Sequence, residues 1–171
     1  DQFQNNITYS AILSAFQDLI KQILTESSDR IKIWRNKLLE VLGSNGQVII
    51  NVIPEVELII GKQNSLSDLS PGESQNRFNF VFQNFVKAIA TEEHPLAIFL
   101  DDLQWGDNAS YLLIKSLMSM KGKICLYLIG AYRDNEVNDT HPLMLTVSDL
   151  KKEGVKIKSI NLEPLHLYHV S

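Results

Sequence analysis

The sequence is poor in the features that cross-link, stretch or anchor a chain. It has one cysteine, Cys125, in 171 residues. An internal disulfide framework is therefore excluded, and a reducing, cytoplasmic setting is expected. Five prolines and eight glycines are too few for a collagen-like or linker-dominated chain. Basic residues are outnumbered, 16 Lys and Arg against 20 Asp and Glu. The resulting net charge of −4 disfavours a nonspecific grip on nucleic acid, and no direct nucleic-acid partner is expected. No apolar run approaches the ~20 residues of a membrane span, so no membrane partner is expected either. The opening Asp1-Gln2-Phe3-Gln4-Asn5-Asn6 lacks an initiator Met, a basic stretch and an apolar stretch, so it does not read as a signal peptide. The missing Met, and an ending at Leu167–Ser171 without a helix stop signal, lead to the expectation that the chain is an excerpt of a longer protein. What is present is an ordinary globular composition, 44% apolar and 21% charged, at a length that suits one domain with a sizeable core.

The first half reads as helical. Ala11, Leu13, Phe16, Leu19-Ile20 and Ile23-Leu24 recur at three- and four-residue spacing and predict an amphipathic helix over Tyr9 to Leu24. Ser27 to Asp29 punctuates it. Ile31, Trp34, Leu38-Leu39 and Leu42 form a second stripe closed by Gly43. Gln47 to Ile60 has two β-branched runs that could be strands. Pro54, with Glu55 and Glu57 behind it, sits better in a helix's first turn, and two short helices are expected. Gln63 to Leu69 reads as a loop. Ser70-Pro71-Gly72-Glu73 is the clearest helix start, a cap, a proline at the first helical position and a capping box. Phe78, Val81-Phe82, Phe85-Val86 and Ile89 then fall on one face, and the three phenylalanines are core before they are a binding stripe.

The second half changes rhythm. Leu96–Leu100 and Ile124–Ile129 are continuous apolar runs, and Val155–Ile160 alternates. Helical patterns at Asp107–Met120 and Pro142–Glu153 separate them. Runs apolar on both faces that alternate with helices predict an α/β fold with a parallel sheet, functional groups standing at the carboxyl ends of its strands. Cys125, inside the second run, is expected to be an inert buried thiol.

Asp101 and Asp102 follow the first of these runs directly. A strand end holds a carboxylate rigidly, and Mg²⁺ takes one or two carboxylates with phosphate oxygens and waters. A second, adjacent carboxylate points to the other side and could orient or deprotonate a water. The plainer reading is a strand terminator, with Asp107 capping the next helix. Arg133 follows the next run, and its guanidinium fork could reach a phosphate. Its plainer reading, a salt bridge to Asp134 or Glu136, is the better one for Arg133 alone. The pairing of an acidic and a basic strand end on consecutive strands is the stronger argument.

That chemistry calls for a phosphate-binding loop, Gly-x-x-x-x-Gly-Lys-Ser/Thr, and none is present. Gly61-Lys62 is followed by Gln63, with Val56 at the upstream glycine position. Gly122-Lys123 is followed by Ile124, with Leu117 upstream. His166 and His169, three apart and without a carboxylate, do not make a zinc site. Arg77 reads as a solvated or salt-bridged helix residue.

The string Leu100-Asp-Asp-Leu-Gln-Trp-Gly-Asp107 with Asn108-Ala-Ser110 resembles the Walker B region of AAA-type ATPases of the STAND class. Gly130-Ala-Tyr-Arg-Asp-Asn-Glu-Val137 with His141-Pro142-Leu143 is similar to their sensor 1 segment. Asp1–Asn6, Tyr9-Ser10-Ala11 and Glu73–Asn79 resemble the ATPase module of large bacterial, notably cyanobacterial, multi-sensor signalling kinases. The resemblance implies a partial P-loop NTPase fold of the ASCE/STAND type, a parallel sheet with flanking helices and a helical N-terminal half. It implies one domain fragment over 1–171: a mostly helical flank at 1–94, the Walker B to sensor 1 sheet region at 95–162, and the start of a further segment at 163–171. It implies ATP and Mg²⁺ as cofactors, with Asp101 on the metal, Asp102 activating water and Arg133 sensing phosphate. Trp105 and Asp107 are carried over as motif members only. The implied partners are ATP and the kinase and sensor domains of the same chain. A non-catalytic scaffold that keeps the fold is the alternative.

Overall fold

A computed structural model describes residues 9–163 of the chain. Helix α1 (Ser10–Ile23) buries Ile12, Leu13, Phe16, Ile20 and Ile23, the stripe its periodicity predicts. Helix α2 (Ser28–Leu42) starts at Ser27, whose side chain accepts from the Arg30 amide, and ends at Gly43 with φ 51°. Two short helices follow, α3 (Gly46–Ile50) and α4 (Glu57–Ile60), the second entered through a 3-10 turn begun by Pro54. Residues 61–70 carry no regular structure. The Arg77 guanidinium donates to the Ser67 carbonyl at 3.3 Å and ties this loop to the next helix.

Helix α5 (Pro71–Ile89) begins with the expected capping box. The Ser70 hydroxyl oxygen accepts from the Glu73 amide, and the Glu73 carboxylate accepts from the Ser70 amide at 3.0 Å. The Ser70 hydroxyl also donates to that carboxylate at 2.6 Å, and this bond, followed by the one from the Ser70 amide, holds the Glu73 carboxyl below its ordinary value. Phe82 and Phe85 are fully buried, and the Phe16 ring meets Phe82 edge-on at 5.2 Å. Helix α5 packs on α2 and α3, α4 packs on α2, and Phe16 of α1 joins the same apolar core against Phe82 and Phe85.

The sheet has two parallel strands among the described residues, β1 (Leu96–Leu100) and β2 (Leu126–Gly130), in register from Leu96 opposite Leu126 to Leu100 opposite Gly130. Helix α6 (Asn108–Met118) makes the crossover, and helix α7 (Pro142–Lys152) follows β2 and packs on α6. Asp107 caps α6 as expected, accepting from the Ser110 amide at 2.7 Å.

Three expectations need correction. The strands are not covered on both faces. Ile98 and Leu100 point into the core, whereas Phe99 and Tyr127 are 60% and 64% exposed and Ile129 is also open. Continuous apolar runs signal two-sided burial only when helices cover both faces, and here they lie on one. The alternating segment 155–160 forms no strand. Among the described residues no strand lies beside it, in line with the expectation that a segment whose neighbouring phosphate-loop strand is missing stands apart, and Ile160 and Leu162 are exposed. Cys125 stands just before β2 and is half-buried rather than buried mid-strand. His166 and His169 lie outside the described residues.

Candidate functional site

The site is built where β1 and β2 end together. The parallel ladder continues one step past both strands, since the Ala131 amide donates to the Leu100 carbonyl and the Leu103 amide to the Ala131 carbonyl, each at 2.9 Å. Residues 101–103 and 131–133 are therefore held side by side. Asp102 breaks the extended path with φ 52° and ψ 40°, a left-handed conformation that Asp tolerates better than most residues. A 3-10 turn over Leu103–Trp105 follows. It is braced from below by Tyr111 of α6, whose hydroxyl donates to the Leu103 carbonyl at 2.6 Å. Burial pushes the Tyr111 phenol above its ordinary pKa.

This turn brings together all three residues expected to carry chemistry. The Arg133 Nε stands 3.7 Å from Asp102 Oδ1. Its Nη1 pairs with Glu136 Oε1 at 3.1 Å, and its guanidinium lies over the Trp105 ring at 5.3 Å from the centroid. The Trp105 indole N–H donates to the other oxygen of Glu136 at 3.1 Å. The salt bridge expected for Arg133 thus falls on Glu136, which the 3-10 turn Asp134–Glu136 folds back towards it. Trp105 packs against the guanidinium rather than into the core.

Asp101 is different. It is exposed, forms no ion pair among the described residues, and uses Oδ1 to accept from the Asp102 amide at 2.9 Å. Its carboxylate faces a cleft of about 490 Å³ between the carboxyl end of β1 and the start of α1. Ser10, Ser14, Asp18 and Phe99 line the same cleft.

Two residues that sequence patterns did not single out complete the arrangement. Glu136 enters the sequence reading only as a salt-bridge option, and Gln104 only as a member of the Leu100–Asp107 string with no role of its own. Gln104 is buried at 6% exposure. Its side-chain N–H donates to Asp102 Oδ1 at 2.9 Å, and its carbonyl oxygen accepts from the Arg133 amide at 3.2 Å. Nothing in hydrophobic periodicity marks a glutamine as buried.

The donor set suits Mg²⁺ at a strand end. Among the described residues no three His, Cys, Asp or Glu side chains gather as a closed metal site. Mg²⁺ asks for less than that, one or two carboxylates completed by phosphate oxygens and waters, and the unpaired Asp101 carboxylate beside a polar cleft meets this requirement. A phosphate cradle is not supplied by either Gly-Lys pair. Gly61, at φ 77°, ends α4. Gly122-Lys123 precedes β2, at the opposite end of the sheet from Asp101, where Lys123 pairs with Glu92 at 3.5 Å.

Residues 1–129 match the AAA ATPase domain family, and the chain belongs to it. Two curated relatives carry the match into signalling proteins. Hybrid signal transduction histidine kinase G of Dictyostelium discoideum is 45% identical over 118 residues, 69% of this chain and 3% of that protein. Histidine protein kinase 1 of Candida albicans is 24% identical over 121 residues, 62% of this chain and 5% of that protein. The chain spans only these small fractions of both relatives. No solved structure matches it. Among the described residues no helix is long and apolar enough to cross a membrane.

Proposed function

We propose that this chain is the Walker B and sensor 1 portion of an ATP-binding and ATP-hydrolysing switch of the STAND type, within a large cytoplasmic signal-transduction kinase. The observation that carries the reading is the single cluster formed at two adjacent strand ends by Asp101, Asp102 and Arg133. In this reading Asp101 holds Mg²⁺, which when bound neutralises charge on the phosphates. Asp102 has Oδ1 engaged by Gln104 and keeps Oδ2 to take a proton from water. Arg133 exchanges Glu136 for a phosphate oxygen, a fork it can make in the same geometry. In this reading residues 1–94, mostly helical over their described part, flank the machinery and residues 95–162 carry it. Kinase and sensor domains of the same chain are the partners, in keeping with the histidine kinases that it resembles.

The experiment measures ATP binding, ADP binding and turnover of the intact protein and three variants. Asp102→Asn keeps binding and loses turnover by roughly two orders of magnitude, the usual size of a general-base contribution. Asp101→Asn weakens Mg²⁺-dependent binding as well. Arg133→Ala leaves ADP affinity nearly unchanged and weakens ATP. A second reading, a scaffold that hydrolyses nothing, draws support from the engagement of Arg133 by Glu136 and Trp105. Equal, small effects of all three substitutions decide for it.

A further inference from the structure

Gln104 is the polar side chain among the described residues that the fold buries at the strand ends. An amide removed from water costs stability unless its groups are paired. Here both ends are used, and by the two elements that carry the proposed chemistry. The carbonyl oxygen accepts from the Arg133 backbone N–H, and the NH₂ donates to the Asp102 carboxylate. The partners fix which way round the amide lies. A backbone N–H needs an acceptor and a carboxylate needs a donor, so the flipped amide would set donor against donor and oxygen against oxygen.

The bridge spans the two strand ends at the step where the backbone ladder stops. Ala131 and Leu103 still make backbone bonds across the gap, whereas the Arg133 amide has Gln104 as its partner there. Asp102, in its left-handed conformation, has no backbone partner on the other strand. Each of the two residues is therefore located by the same buried side chain.

We infer that Gln104 is a positioning residue that locks the Asp102 carboxylate and the Arg133 backbone into one unit, so that the carboxylate and the root of the Arg133 side chain move together. The inference rests on the ATPase reading above and adds to it how the two strand ends are coupled. Gln104 reaches no substrate itself. It fixes which oxygen of Asp102 is occupied and where the Arg133 side chain starts, and both are second-hand effects on the reacting groups.

The test uses the intact protein and the substitution Gln104→Met, which keeps the buried volume and removes both hydrogen bonds. Three results are expected. Hydrogen exchange of the Arg133 amide speeds up by about tenfold or more while that of Ala131 is unchanged, because only the former loses its partner. ATP turnover falls by roughly 10- to 100-fold, the range seen when an orienting partner of a functional group is lost, with ADP affinity held within about twofold. Adding Gln104→Met to Asp102→Asn causes no further loss, since a residue that acts through Asp102 has nothing left to act on. An unchanged Arg133 amide, or losses that multiply in the double variant, overturns the inference. Should Gln104→Met fail to fold, Gln104→Asn serves. One methylene shorter, its amide cannot span Asp102 and the Arg133 amide together, so turnover falls while a polar side chain is kept; turnover equal to that of the native protein overturns the inference. The two failures separate cleanly. If Asp102→Asn leaves turnover intact, the ATPase reading fails whatever Gln104 does. If Asp102→Asn abolishes turnover and Gln104→Met does not alter it, only the coupling fails.

Discussion

The Nε of Arg133 stands 3.7 Å from Oδ1 of Asp102, across the gap between the carboxyl ends of two parallel strands. Both side chains are partly exposed, so the pair contributes little to stability. It is also soft for the same reason. An arginine held by exposed carboxylates can leave them at small cost when a better anion arrives, which is what a nucleotide-responsive residue requires.

The first expectation concerns Glu136, which shares Arg133 with Asp102 at 3.1 Å. If Glu136 competes with phosphate for the guanidinium, Glu136→Gln raises ATP affinity relative to ADP. The gain is at most about fivefold, the worth of one exposed ion pair. Equilibrium titration with both nucleotides at low salt measures it. A fall in ATP affinity would instead make Glu136 a support that presents Arg133.

The second concerns the floor of the turn. A Cβ added at Gly130 would run into the Leu103 side chain, whereas one added at Gly72 meets nothing within 4 Å. The Leu103 backbone is held by the Ala131 carbonyl and the Tyr111 hydroxyl, so relief must come from its side-chain rotamer alone. Gly130→Ala is expected to destabilise by about 1–3 kcal/mol, as overpacking does. Gly72→Ala, in the first turn of α5, is expected to stabilise by up to about 1 kcal/mol. Urea unfolding of both variants checks the pair of signs.

The third concerns acid. Lys115 of α6 meets Asp149 at 2.8 Å and Glu153 at 3.4 Å, and the Ser119 hydroxyl donates to Glu153, so that α7 is clasped to α6. The hydrogen bond from Lys115 holds the Asp149 carboxyl below its ordinary 3.8, and that from Ser119 holds Glu153 below 4.5. The same contact with Asp149 raises the Lys115 amine. Lowered carboxyl pKa values mean that their stabilisation is complete above the ordinary values and is lost as pH falls through the lower, folded-state ones. The raised amine works in the other direction, losing its share only in strong alkali. The gap in melting temperature between the native chain and Lys115→Met should therefore be constant near neutrality and close below about pH 4. A gap that persists at low pH would mean that Lys115 acts through the packing of its stem.

The helices were legible because their signals are local. Ser70, Pro71 and Glu73 announce α5 by chemistry that acts within one turn, and Asp107 announces α6 in the same way. The pairing of β1 with β2 was legible from apolar runs separated by one helical pattern. Alternation shows only that segment 155–160 can be a strand; that it forms none and stands apart follows from the missing phosphate-loop strand beside it. The open face at Phe99 and Tyr127 escaped for a related reason, since a run of apolar residues does not reveal how many faces are covered. Asp101, Asp102 and Arg133 stand out in the sequence as candidates because carboxylates and guanidinium groups at strand ends are conspicuous. Gln104 does not, because its importance lies in burial and in two partners 2 and 29 positions away, neither of which leaves a period in the sequence.

The last expectation concerns the choice of substitution at Asp102, whose backbone is left-handed at φ 52° and whose Oδ1 accepts from the buried Gln104 amide. Asparagine tolerates that conformation and retains a carbonyl oxygen for Gln104. Asp102→Asn is thus expected to change folding stability by less than about 0.5 kcal/mol. Alanine does neither. It takes on the left-handed penalty, about 1 kcal/mol, and leaves the Gln104 N–H without its partner, about 1–3 kcal/mol more. Glycine separates the two contributions, because it relieves the backbone and still deprives Gln104. The expected order of stability is Asn above Gly above Ala, read from urea midpoints at constant slope. Glycine also loses about 0.4–1 kcal/mol to the greater freedom of the unfolded chain, so a midpoint for Gly well below that for Ala would show that the left-handed conformation costs nothing, and the Gln104 contact alone would then account for the turn.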